Sequence, residues 1–208
     1  MGMSRTGQRS AGRRLAGACL GALLLLGLLA APAWARPGDS RAGLFLGTTT
    51  TTVDSYTTFG STFGFSYGYE FETDLVWTAG AAFSSTEGKA IVDVAGTPTE
   101  VPLQSRTTSA QTGLLAFFAH SQAGLVIPFL GAGLSVLSYD LEYPGTTIGT
   151  TSGTGPGAYV NAGVELRMTR SITLIPSFGV QVHTIKTQAG QSRGLLSGGL
   201  VFTVRIST

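Results

Sequence analysis

Residues 158–169 read AYVNAGVELRMT, and this stretch decides the fold. Ala158, Val160, Ala162, Val164, Leu166 and Met168 are apolar, and Tyr, Asn, Gly, Glu, Arg and Thr fill the positions between. A repeat of two marks a β-strand with unlike faces. Glu165 and Arg167 share one face while the other carries hydrocarbon alone, so the question is which face meets solvent.

The same alternation recurs along the chain. In GFSYGYEFE (64–72), Phe65, Tyr67, Tyr69 and Phe71 oppose Gly64, Ser66, Gly68, Glu70 and Glu72. LVWTAGAAFSS (75–85), SITLIPSFGVQVHT (171–184) and LLSGGLVFTVRI (195–206) repeat it. Three segments are less regular. RAGLFLGTTTTTV (41–53) holds five consecutive threonines, which suit a strand without declaring a face. LQSRTTSAQTGLLAFFA (103–119) is polar in its first half and apolar in its second, so its facing also stays open. GLVIPFLGAGLSVLSY (124–139) changes apolar parity near Phe129–Leu130, which reads as a bulge. The total is eight strands. Tight connections are expected at Glu72–Thr73–Asp74, around Ser121–Gln122 and at Thr169–Arg170–Ser171, with longer ones at 54–62, 87–102, 143–157 and 186–192.

Composition separates a soluble barrel from a membrane one. Charged residues make up 12% of the chain, against about 25% in an ordinary soluble domain. Arg5, Arg9, Arg13 and Arg14 precede an apolar run from Leu15 to Ala31 and the small-residue site Ala33-Trp34-Ala35. That pattern is a secretory leader over residues 1–35, followed by a barrel domain over 36–208. The 13 basic and 11 acidic residues become 13 − 4 = 9 against 11 once the leader leaves, so a nucleic-acid partner has no support. Cys19 lies in the leader, and the mature domain has no cysteine for a disulfide.

A strand-rich secreted chain short of charge reads as an antiparallel up-and-down β-barrel in the bacterial outer membrane. Every backbone polar group needs a partner in lipid, so the sheet must close. Strands of about 9–11 residues suffice to cross. Val160, Ala162, Val164 and Leu166 then meet acyl chains, while Asn161, Glu165 and Arg167 line the lumen. A slip of one residue would push both charges into lipid, where a midplane Arg loses about 2–4 kcal/mol, so the register is strongly set. Phe71, Trp77, Phe117 and Phe129 are expected at the periplasmic interface and Tyr139 and Tyr143 at the outer one.

PFLGAGLSV (128–136) and NAGVELRMTRSITLIPSF (161–178) resemble stretches of the OmpA-like and OmpX-like eight-stranded outer-membrane proteins. GYEFETD (68–74) is similar to the family's second strand and turn, and GGLVFTV (198–204) to its closing strand. The resemblance implies the barrel, and the chain departs from full OmpA proteins in that no peptidoglycan-binding domain is expected after it. The final Arg205-Ile206-Ser207-Thr208 lacks the terminal aromatic residue often seen in the family.

Chain direction carries Glu70, Glu72, Glu165, Arg167 and Arg205 to the periplasmic half of the interior, where they are expected to form a paired ionic cluster. The resemblance implies a similar charged plug. An eight-stranded barrel has an interior just filled by side chains, which argues against a wide channel. The expected function is therefore non-catalytic: envelope integrity, or adhesion through surface loops to a ligand the sequence does not identify. Outer-membrane lipid and lipopolysaccharide are the expected partners of a monomer, with no cofactor and no metal.

Two other classes stay open. An enzyme acting on lipid A or phospholipid would need an activated nucleophile with a base, and His183 is the one candidate. No Ser occupies the neighbouring same-face position, and His120-Ser121 falls on the periplasmic side. A soluble lipocalin-like barrel would instead turn the apolar faces inward around a small ligand.

Overall fold

The computed structural model describes residues 40–53, 56–72, 74–94, 97–118, 126–144, 150–169, 171–187 and 191–207. The expected leader, residues 1–35, and His120-Ser121 lie outside them. Eight antiparallel strands close into one barrel: β1 (Ser40–Val53), β2 (Tyr56–Glu72), β3 (Leu75–Val94), β4 (Thr97–Phe117), β5 (Val126–Glu142), β6 (Thr150–Arg167), β7 (Ile172–Thr187) and β8 (Ser192–Ser207). β1 pairs with both β2 and β8, so no edge remains along the wall.

The alternation sets which way each face points. Leu44, Leu46, Leu134, Val160, Phe178 and Val182 are all exposed on the outer wall, Leu44 at 71%. The residues between them, such as Glu165, Thr173, His183 and Arg205, are buried in the lumen. A lipocalin-like arrangement would bury the first set, and the structure does the opposite. β1 and β4 now have a facing too. Arg41, Phe45, Thr49 and Thr51 point inward on β1, as do Ser105, Ser109 and Leu115 on β4.

Several expectations are corrected. The Thr- and Gly-rich stretches 54–62 and 87–102 are largely strand, because threonine and valine pack well on a pleated surface. Asymmetry between the two ends therefore resides in strand length rather than loop length. β3 and β4 climb past their neighbours, whose pairing with them stops at Gly88 and Gln104. β5 has no bulge at Phe129–Leu130, since its register against both neighbours runs unbroken there. Its apparent change of parity arises because the inward face is itself apolar at both ends: Ile127 and Phe129 below, Leu137, Tyr139 and Leu141 above. The bulge lies instead in β2, between Glu70 and Glu72. Asp74 closes the adjoining turn with φ of 71°.

The aromatic girdle is smaller than expected. Phe71 is exposed and Trp77 packs edge-on against Tyr67 on the outer wall. Phe117, Phe129 and Tyr139 face inward, and Tyr143 packs against the upper interior.

Candidate functional site

The lumen is closed at both ends by different chemistry. At the periplasmic end Glu165, buried on β6, receives three guanidinium groups. Arg41 Nη1 and Arg205 Nη1 each donate to Glu165 Oε2 at 3.2 Å. Arg167 Nε lies 3.5 Å from Oε1. Arg41 also donates through Nη2 to Glu70, which ties β1 to β2 as well as to β6. The guanidinium carbon of Arg41 stands 5.7 Å from the centre of the Phe117 ring, close enough for a cation–π contact. Just above, Val76, Leu115, Phe129 and Ile175 form a small apolar ring.

Four of the five residues expected from the sequence thus meet: Glu70, Glu165, Arg167 and Arg205. Glu72 does not join them. The bulge between Glu70 and Glu72 breaks the alternation that would have aimed it inward, and it is exposed. Arg41 is the member that sequence reasoning missed. Its signal was available, because closing β1 onto β8 pairs Gly43 with Arg205 and sets Arg41 one inward step away.

Midway up lies a cavity of about 150 Å3, bordered by Ser66, Thr78, Ser109, Asn161, Gln181 and Arg205 among others. Hydroxyls and amides share its wall with apolar side chains such as Phe45, Leu115 and Ile175. Gly64 makes room for the Phe45 ring beside it, since a Cβ there would strike the ring.

Higher still, His183 Nε2 and Ser135 Oγ are 2.8 Å apart, both buried. The sequence showed no serine near His183 because the two sit on β7 and β5, two strands apart. Ser135 pairs with Gly157 of β6, and Gly157 with His183. A Cβ on Gly157 would collide with the imidazole, so the missing side chain is what lets the pair meet. Thr58 and Thr86 add a hydroxyl pair at 2.6 Å on the opposite wall.

The extracellular end is apolar. Val53, Ala90, Val101, Leu103, Leu137 and Tyr139 form its plug together with Leu141, Ile185 and Leu195. Tyr56 packs against it and donates its hydroxyl to the Ile91 carbonyl at 3.1 Å, fastening the rising β3–β4 ribbon to β2. The polar lining expected from Asn161, Glu165 and Arg167 does not extend through the whole lumen: its upper third is a hydrophobic core. Among the described residues no group of three or more His, Cys, Asp or Glu side chains is placed to hold a metal.

Residues 21–199 match the family model of the outer membrane protein beta-barrel domain. A comparison with curated proteins finds no match. Among solved structures, Neisserial surface protein A is similar, at 20% identity and a TM-score of 0.55 over 82% of this chain and 99% of that one. OprG from Pseudomonas aeruginosa shares 11% identity with a TM-score of 0.50, over 84% of this chain and 97% of that one. The outer membrane enzyme PagL shares 17% with a TM-score of 0.45, over 80% of this chain and 98% of that one. At these identities the likeness is one of fold.

Proposed function

The chain belongs to the outer membrane protein beta-barrel domain family, and from that premise we propose that it works without catalysis, as a closed barrel of the bacterial outer membrane. In this reading the monomer supports envelope integrity or binds a surface ligand, with lipid and lipopolysaccharide against its outer wall. The observation that carries it is the double seal of the lumen. Arg–Glu pairs close the periplasmic end and aliphatic side chains the extracellular end. Neither a continuous solute path nor a substrate-accessible interior fits that arrangement. What remains available is the outside: the wall itself, and the rim where Glu87, Lys89, Glu100 and Arg106 are exposed.

The Ser135–His183 contact favours a second reading, a lipid hydrolase. A serine hydrolase needs its base oriented by a third group and its nucleophile open to substrate. His183 Nδ1 has no hydrogen-bond partner, and both side chains are buried. The pair therefore serves packing in the preferred reading. One experiment decides between them. The refolded barrel is placed in vesicles of lipopolysaccharide and phospholipid loaded with a small labelled sugar. The vesicles should keep the sugar, and mass spectrometry should find the lipids intact. Deacylated lipid that disappears with His183→Ala would overturn the proposal, as would rapid sugar loss.

A further inference from the structure

The extracellular rim is electrically lopsided. On the upper parts of β3, β4 and β5, Glu87, Glu100, Asp140 and Glu142 outnumber Lys89 and Arg106. From Tyr143 to Thr208 the one acidic side chain is Glu165, and it is buried in the cluster at the periplasmic end. The extracellular parts of β6, β7 and β8 therefore carry Lys186 and Arg193 without an acidic side chain of their own.

Lys186 and Arg106 both point outward, since Ile185 and Ser105 beside them are buried in the lumen. Their surroundings differ. Arg106 stands opposite Asp140 in the β4–β5 ladder, and Lys89 nearby is paired with Glu100 at 3.1 Å. Lys186 stands between Thr154 of β6 and Ser192 of β8, both exposed. It makes no ion pair or hydrogen bond with any described residue. One ammonium with a hydroxyl on either side supplies what a phosphate group takes up, a positive charge and several donors.

Beneath that row the wall turns apolar within two outward steps. Thr184 faces Gly194, and below them Val182 faces Leu196. A Cβ added at Gly194 would meet nothing within 4 Å, so the wall is bare between the cation and the exposed Val182 and Leu196. Phe178 and Leu200, also exposed, continue the apolar surface downward. A molecule with an anionic head and hydrocarbon tails matches this profile from top to bottom.

We propose that the β6–β8 sector docks one phosphorylated glycolipid of the outer leaflet, its phosphate on Lys186, Thr154 and Ser192 and its acyl chains on the apolar wall beneath. This site rests on the reading of the chain as a closed barrel with lipopolysaccharide against its outer wall, and it gives that contact one address. The β3–β5 sector offers the same headgroup no cation clear of a carboxylate, so the preference is confined to one side of the barrel.

The test is native mass spectrometry of the refolded mature barrel, released from micelles that contain phosphatidylcholine and lipid A. The wild type should retain bisphosphorylated lipid A in preference to its dephosphorylated form, which has the same acyl chains. Lys186→Gln should lower that retention about fivefold, the worth of one lysine near an anionic lipid surface. Lys186→Arg should keep it, and Arg106→Gln should leave it unchanged. Both side chains are exposed, so the variants should fold, which heat-resistant migration on a gel checks. Equal retention by the wild type and Lys186→Gln, or of the two lipid A forms, would overturn the proposal. A loss as large in Arg106→Gln would overturn it too, since charge without place would then suffice. Asp54 lies outside the described residues, and Asp54→Asn should change nothing. A rise in retention there would mean that the chain itself answers Lys186, against the proposal. Displacement of lipid A by inorganic phosphate or a sulfated glycan would make a soluble anion the occupant and count equally against it. Failure of the underlying reading looks different: were the protein a lipid hydrolase, the same spectra would show deacylated lipid A whatever stands at position 186.

Discussion

The two ends of the lumen are sealed by opposite means, one by ion pairs and one by hydrocarbon. The periplasmic seal lies level with the apolar outer residues Leu44, Val204 and Ile206, where lipid surrounds the wall. Polar interior side chains there are shielded from hydrocarbon by the sheet, and Arg167 reaches water at the mouth. The extracellular seal lies beside outer residues such as Glu87, Arg106 and Asp140, above the apolar band. Water surrounds the wall at that level, so the ordinary rule of a soluble protein returns and apolar groups move inside. One alternation with a period of two therefore runs through strands such as β4 and β5 while its sign reverses partway up.

The largest effect expected from that contrast is at Glu165. Glu165→Gln leaves Arg41, Arg167 and Arg205 facing each other with only Glu70 to answer them. Breaking a buried pair from one side costs about 3–5 kcal/mol. The folded barrel should unfold at lower denaturant or temperature by that margin, read from the loss of heat-resistant migration on a gel or from tryptophan fluorescence. A change below about 1 kcal/mol, the worth of a surface pair, would show that the cluster is hydrated rather than a seal.

Leu103→Ala probes the other seal. Leu103 is buried within the extracellular cluster, and a leucine truncated in a packed core costs about 2–5 kcal/mol. The lower part of that range is expected, because the β3–β4 ribbon above the rim has no strand ladder to a third neighbour, only the Tyr56 hydroxyl bond to Ile91, and can settle into the space. The same denaturation reads it, and the loss should not depend on salt, unlike that of Glu165→Gln. Equal salt dependence in both variants would erase the distinction between the ends.

How much of this was legible follows from the same reversal. Where the outer wall meets lipid, alternation alone assigned the faces of β6, β7 and β8, and strand direction alone put Glu165, Arg167 and Arg205 at one end. Where apolar residues also face inward they look like outward ones, so Ile127 and Phe129 below and Leu137 and Tyr139 above suggested a bulge that β5 does not have. Arg41 escaped notice because one charge before a run of threonines sets no period. Ser135 and His183 escaped it because their meeting depends on two registers and a glycine between, which no single strand reveals. Glu72 was misplaced by one bulge, a local irregularity that a period-two reading cannot foresee.

The smallest expected effects belong to the seam that joins both regions. Pairing between β6 and β7 lapses at 155–156 against 184–185 and again at 164–165 against 175–176. Each lapse contains a proline, Pro156 or Pro176, and their positions in the ladder turn the missing N–H toward the seam. The carbonyls of Thr184 and Val164 lose their donors as a result. Replacing either proline with valine restores one ladder bond, worth about 0.5–1.5 kcal/mol. Pro176→Val should gain more, because the Val164 carbonyl lies where lipid flanks the wall and no water stands in. Pro156→Val should gain less, since the Thr184 carbonyl sits near the wet rim. Unfolding midpoints order the two, and backbone exchange at Val164 and Thr184 locates the change. If Pro156→Val stabilised more than Pro176→Val, the boundary between lipid and water would lie higher on the wall than Thr184, and the reversal of sidedness would have to move up with it.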